Sequence, residues 1–288
     1  MSQHRRRHQH RHSASNAARG PSPVGASGGA GSRRFLKWAV LLAIAAAAAA
    51  GAWMFWGPSA TGRTQGRIAS AAHPGGPQGH SAPDRTSGTN HNSDKAVSEK
   101  VNRANDLLER GKTDEAIAIL NEAVQANPND EDVHYNLGIA LARQGHADEA
   151  VKQYEEALRI FPDYVEVHNN LGNLLARLGR LDEAARHFEA AAKVMPDYAP
   201  AYNNLGLVLQ RQGQTNEARG QFQKAVKLNP EYWEAHFNLG SSYLAASQFG
   251  AAREELNTVL KLRPDFRAAQ AALAKLDDVA PVRPPLKP

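Results

Sequence analysis

Five asparagines, Asn102, Asn136, Asn170, Asn204 and Asn238, stand 34 residues apart. A side-chain amide carries both a donor and an acceptor, so a row of them can meet the N–H and C=O groups of an extended polypeptide irrespective of its sequence. Seven residues beyond three of them stand Arg143, Arg177 and Arg211, a second row whose guanidinium groups suit acidic side chains or a carboxylate. Each row has a structural alternative: the asparagines can serve only the structure of the helices that carry them, and arginine at a helix end complements the dipole. His134, His168 and His236 also recur in phase, with Tyr202 at the equivalent place in a further copy, which favours packing over proton transfer. His187 stands isolated on a helix face. The chain has no cysteine, which excludes disulfides, thiolate metal sites and a thiol nucleophile. No nucleophile elbow, phosphate loop or dinucleotide fingerprint occurs. His4, His8, His10 and His12 lie among arginines whose charge opposes metal binding. The residues predict binding rather than catalysis, with no cofactor and no metal.

The elements that position these rows follow from a second series. Pro128, Pro162, Pro196, Pro230 and Pro264 share the 34-residue period, and a fixed period of this length signals a repeat architecture. Five copies result: 97–130, 131–164, 165–198, 199–232 and 233–266. The eighth residue of each is small (Ala104, Gly138, Gly172, Gly206, Gly240). The twentieth is alanine (Ala116, Ala150, Ala184, Ala218, Ala252), and the twenty-fourth is large and apolar (Leu120, Tyr154, Phe188, Phe222, Leu256). Small residues let two helices approach and large ones fill the gaps. Gly111, Gly145, Gly179 and Gly213, with Ser247 in the last copy, mark a tight turn between the two helices of each copy. Each proline stops a second helix, because it lacks an N–H and disfavours helical geometry just before it. Residues 267–278 continue a helical pattern, with Ala268, Ala272 and Leu276 at four-residue steps, and read as a cap with a polar outer face.

Leu137-Gly138, Ala150, Tyr154 and Pro162 stand where the tetratricopeptide (TPR) pattern places leucine-glycine, alanine, an aromatic residue and proline, and the chain resembles that family over residues 97–266. Copy one departs most, with Arg103-Ala104 in place of leucine-glycine, and copy five carries Ser247-Gln248-Phe249-Gly250 at its turn. The resemblance implies an all-α superhelical solenoid of five antiparallel helix pairs whose first helices line a concave groove, and a role as a protein-binding scaffold. The second, sixth, ninth and thirteenth residues of each first helix fall on one stripe, which the family fold would turn into that groove. The asparagine row is similar to the ladder by which the TPR superhelix of O-GlcNAc transferases holds substrate polypeptide, and no glycosyltransferase domain accompanies it here. TPR proteins that grip chaperone carboxylates need lysine and arginine where this chain has Val101, Glu166 and Asn170. That function is not expected.

The first hundred residues differ in kind. Residues 1–34 form a basic tail, and 35–57 read FLKWAVLLAIAAAAAAGAWMFWG, a candidate transmembrane helix. Trp38 to Trp56 would rise about 28 Å, close to the hydrocarbon thickness of a bilayer. Trp38 at one end and Trp53, Phe55 and Trp56 at the other suit the two interfaces. A cleaved signal peptide is the alternative, and Arg33-Arg34-Phe35-Leu36-Lys37 resembles a twin-arginine export signal one residue short. Residues 1–37 hold seven arginines, one lysine and no acid. Positive charge stays inside, so the N-terminus is expected in the cytoplasm and the repeats in a periplasm or comparable extracytoplasmic space. Residues 58–95, rich in Gly, Ser, Pro, Thr and His, read as a disordered tether, and 279–288 as a proline-rich tail.

The net charge of +5 belongs to the tail, since residues 95–288 hold 23 basic against 27 acidic groups. A mildly acidic array is a poor nucleic-acid ligand. The expected partner is a protein or peptide in the groove, with the membrane engaged through residues 35–57. A second possibility is an accessory subunit that presents substrate to an envelope enzyme, of glycosyltransferase or cytochrome maturation type.

Overall fold

The computed structural model describes residues 91–279, and within them the chain is all-α: eleven helices and no strand. They are α1 (His91–Glu109), α2 (Thr113–Ala126), α3 (Glu131–Gln144), α4 (Ala147–Ile160), α5 (Val165–Arg177), α6 (Leu181–Val194), α7 (Ala199–Arg211), α8 (Thr215–Leu228), α9 (Trp233–Ala245), α10 (Phe249–Leu262) and α11 (Arg267–Val279). Odd-numbered helices are the first of each copy and even-numbered ones the second. Residues 1–90 and 280–288, with the basic tail, the candidate membrane span and most of the tether and proline-rich tail, lie outside the described residues.

Each copy closes on itself through volume matching. The five alanines at the twentieth position are fully buried, and the large residues one turn further along the same helix are at most 3% exposed. In copy three a Cβ on Gly172 would sit 2.8 Å from Phe188 Cε1, and in copy four one on Gly206 would sit 2.6 Å from Phe222 Cε1. Glycine there is a packing requirement, because the aromatic ring occupies the space a side chain would need. The twenty-seventh position (Ala123, Ala157, Ala191, Ala225, Val259) is equally buried and forms a second line of small residues.

The turn inside each copy has one hydrogen-bond pattern throughout. Lys112 N donates to Leu107 O at 2.9 Å while Gly111 N donates to Leu108 O at 3.2 Å, and the same pair of bonds recurs at residues 145–146, 179–180, 213–214 and 247–248. This double bond satisfies the last carbonyls of the first helix and needs a left-handed residue at its centre. Glycine supplies it at φ between 74° and 94° in four copies, whereas Ser247 adopts φ 58° in the fifth. Each second helix ends two residues before its proline, and the pre-proline residue is extended or nearly so, from Asn127 (φ −142°) to Arg263 (φ −139°).

Successive helices pack in order along the chain, and first helices also touch the first helices of the next copy, as in α1 with α3, α5 with α7 and α7 with α9. No pair of second helices packs comparably. Closer approach on one side than the other bends a stack, so the first helices line the inner, concave face.

Two boundaries shift from the sequence expectation. Val97 (2% exposed) packs with Ala123 and Val133, and its helix begins at His91, inside the segment read as tether. In α11 the buried residues are Ala269 and Leu276, with Ala268, Ala272 and Leu273 half-buried against α10, so the stripe runs one residue over from the expected Ala268. The reason is that α11 continues the repeat register: Gln270, its fourth residue, donates to Pro264 O at 2.7 Å, as the fourth residue of earlier copies does.

Candidate functional site

The asparagine row sits along the touching faces of the first helices, and its geometry follows one rule. The sixth residue of a copy donates its amide to the fifth residue of the copy before, 35 residues back. Asn170 Nδ2 reaches Tyr135 Oη at 3.1 Å, Asn204 reaches Asn169 Oδ1 at 3.0 Å, and Asn238 reaches Asn203 Oδ1 at 2.8 Å. Asn136 faces Val101, which offers no acceptor, and folds back to Asp132 O of its own helix at 2.7 Å. Asn102 has no preceding copy and is exposed. The row therefore couples neighbouring copies, and each amide still keeps a second N–H. The side-chain oxygens of Asn136, Asn170 and Asn238 accept no hydrogen bond among the described residues.

The arginine row follows a similar rule at the other end of the helices. Arg143 Nη1 donates to Leu108 O at 3.2 Å and Arg211 Nη1 to Ala176 O at 2.5 Å, each reaching the last turn of the preceding first helix. A cation on a helix C-terminus satisfies a spare carbonyl and the negative dipole end together. Arg177 is exposed and makes no such bond.

Tyrosines missed by the sequence reading complete this face. Tyr164, Tyr198 and Tyr232, with Phe266, occupy the last position of successive copies, at the entry to each first helix. Tyr164 Oη donates to Asp132 Oδ1 at 2.6 Å, and its ring lies 5.2 Å from that of Tyr135. Burial, with Glu166 nearby, pushes the Tyr198 hydroxyl up to about 12, so it remains a neutral donor at any ordinary pH. The signal that marks them is the same 34-residue period.

The recurring histidines are polar clips rather than plain packing groups. Nε2 of His134, His168 and His236 lies 3.1, 2.9 and 3.1 Å from the carbonyl oxygen of Pro128, Pro162 and Pro230, and Tyr202 Oη donates to Pro196 O at 3.0 Å. A proline-terminated helix leaves that carbonyl without a helical partner, and the fourth residue of the next helix supplies one. Nδ1 of each ring then meets the second helix of its own copy: Gln153 Oε1 at 2.7 Å, His187 Nδ1 at 3.0 Å and Glu255 Oε2 at 2.6 Å. His187 is thus not isolated. Burial first, then the neighbouring His168 and Arg186, lowers it to about 4, and burial also lowers His168, while the bond to Glu255 raises His236.

Among the described residues no group of three or more potential metal ligands occurs, and no helix is long and apolar enough to cross a membrane. The segment 35–57 lies outside those residues. Tetratricopeptide repeat models match residues 101–165 and 203–265, and a second such model matches 163–231. No curated protein sequence matches the chain. Among solved structures, MamA from Desulfovibrio magneticus RS-1, from its residue 41 onward, is 28% identical with a TM-score of 0.54, covering 59% of this chain and 96% of that one. The Pseudomonas aeruginosa pilF structure is 21% identical with a TM-score of 0.56, covering 67% and 95%. YrrB, described as a TPR protein with an unusual peptide-binding site, is 23% identical with a TM-score of 0.52, covering 63% and 97%. Helix pairing, the glycine-aromatic contacts and these matches converge: the chain belongs to the tetratricopeptide repeat family.

Proposed function

We propose that this protein is a single-pass, membrane-anchored TPR scaffold that captures an extended segment of a partner protein outside the cytoplasm. The observation that supports this reading most is the asparagine row on the concave face. The amides of Asn170, Asn204 and Asn238 each have one N–H committed to a neighbouring copy and one left over, and the side-chain oxygens of Asn136, Asn170 and Asn238 also remain available. Such half-committed amides are held in place by the bonds they already make, so a peptide backbone entering the groove meets donors and acceptors whose rotamer freedom is already spent. A protein of the same fold, YrrB, is described with a peptide-binding site. Exposed Arg177 adds a free cation for acidic side chains.

The anchoring and orientation rest on residues 35–57 and on the seven arginines and one lysine ahead of residue 38. With α1 beginning at His91, a tether of about 33 residues would span roughly 29–34 Å, enough to hold the array near a membrane without fixing it. The test is crosslinking in intact cells from photoreactive residues placed at Asn136 and Asn204, followed by mass spectrometry. Adducts drawn from several exported proteins support capture of extended clients. A single stoichiometric enzyme would replace this reading with that of an accessory subunit.

A further inference from the structure

Among the three copies with a histidine clip, copy three differs at one point of that clip. At the place where Gln153 faces His134 and Glu255 faces His236, copy three puts a second imidazole, His187, against His168. We propose that His168 and His187 form a two-imidazole site for a divalent transition metal of tetragonal preference, copper(II) foremost, with water completing its coordination.

Three features of the pair carry this. His168 spends its Nε2–H on the Pro162 carbonyl at 2.9 Å, which leaves Nδ1 of the neutral ring as a lone pair turned toward α6. That is how a ligating histidine is normally held, since the outer N–H bond fixes both tautomer and ring orientation. The two Nδ1 atoms are 3.0 Å apart. Each placed about 2.0 Å from a common ion, they subtend about 95–97° at it, near the right angle of a square arrangement and short of the tetrahedral angle of about 109°. His187 can turn to meet the ion, because its Nε2 holds no hydrogen bond among the described residues, and it is half-buried, so water can reach the open side.

In the metal-free pair one Nδ1 must carry the shared proton, and the bond of His168 to Pro162 assigns it to His187. Metal binding removes that proton from His187 Nδ1, and the ring takes one from water at Nε2, so the imidazole stays neutral. The surroundings are mixed in charge. Arg180 and Arg186 oppose a cation, while Glu183 and Asp163 favour it. Glu183 is already paired with Arg180 at 2.6 Å.

The experiment uses the full chain in mild detergent, with His4, His8, His10 and His12 each changed to Gln so that the basic tail does not compete. Copper(II) is titrated and followed by electron paramagnetic resonance, with circular dichroism to confirm folding. The expected result is one equivalent bound with coupling to two imidazole nitrogens, lost in His187→Gln, which installs the residue found at the equivalent point of copy two. Gln153→His should create a second equivalent beside His134. The proposal is overturned if the parent binds no copper, if His187→Gln leaves the two-nitrogen signal intact, or if Gln153→His adds no second site.

Discussion

The coupling made by the asparagine row and the client binding proposed for it can be separated by substitution, because the copies are not equivalent. Asn170, Asn204 and Asn238 reach across to the preceding copy, whereas Asn136 bonds only within its own helix and Asn102 has no earlier copy to reach. Changing Asn170, Asn204 and Asn238 together to alanine should remove three bonds between copies, at about 0.5–1.5 kcal/mol each, and lower the melting temperature measured by circular dichroism. Changing Asn102 and Asn136 should leave the melting curve nearly where it was. If peptide capture weakens in the second variant as well as the first, the row binds clients. If it weakens in neither, the row is a coupling device alone. The histidine clips make a separate prediction about acid. His168 and His187 titrate below the ordinary histidine value in the folded chain, so the unfolded chain holds more protons between them. Their contribution to stability is therefore present above about pH 6.5 and falls as acid is added, until His187 itself titrates near 4. His236, raised by Glu255, acts in the opposite sense: its contribution is present below the unfolded value and lost as pH rises through the folded one. Denaturant melts across pH should show His187→Gln flattening the acid limb and Glu255→Gln flattening the limb above neutrality.

Helices and turns in this chain were legible from the sequence wherever a constraint acts at a fixed short spacing. Glycine against an aromatic ring, alanine at the twentieth position and a left-handed turn residue are local demands, and each copy repeats them. What the sequence hid were bonds whose partner depends on another copy or another helix. The target of Asn136 is decided by Val101, 35 residues away, and His187 looked solitary because its partner lies 19 residues back on a different helix. The start of α1 was hidden for a similar reason, since polar residues ahead of Val97 carry no apolar period. Two predictions belong to this scale. Gly172→Leu should drive a side chain into Phe188 and cost about 1–3 kcal/mol or more by overpacking, measurable in urea melts. Ser247→Gly should relieve a left-handed serine and, after glycine's own entropic cost, raise stability by about 0.5–1 kcal/mol. A loss of stability in that variant would mean that the fifth turn gains from its serine in a way its backbone does not reveal.

At the scale of the whole array, stability is a sum of copies and of the interfaces between neighbours. Deleting residues 267–288 should uncover the apolar face of α10, where Leu256 and Val259 pack with Ala269 and Leu276 of α11, and the truncated chain should aggregate at concentrations the parent tolerates. Limited proteolysis of spheroplasts from outside should release a fragment of about 20 kDa holding the repeats, as the arginine-rich N-terminus requires of the proposed orientation. Protection of the repeats until the membrane is dissolved would reverse it. The interfaces are also unequal under load. The seam between copies one and two lacks an amide rung, because Val101 stands where the later copies present Tyr135, Asn169 and Asn203. A pull applied at His91 enters the molecule through α1 and meets that seam first. Drawn in optical tweezers, the array should yield first by shedding a single copy, a step of about 34 residues or roughly 11–12 nm of extended chain, while the four copies behind it hold. The valine makes the N-terminal end of the array a mechanical fuse, and Val101→Asn, by giving Asn136 a partner, should raise the force at which it parts.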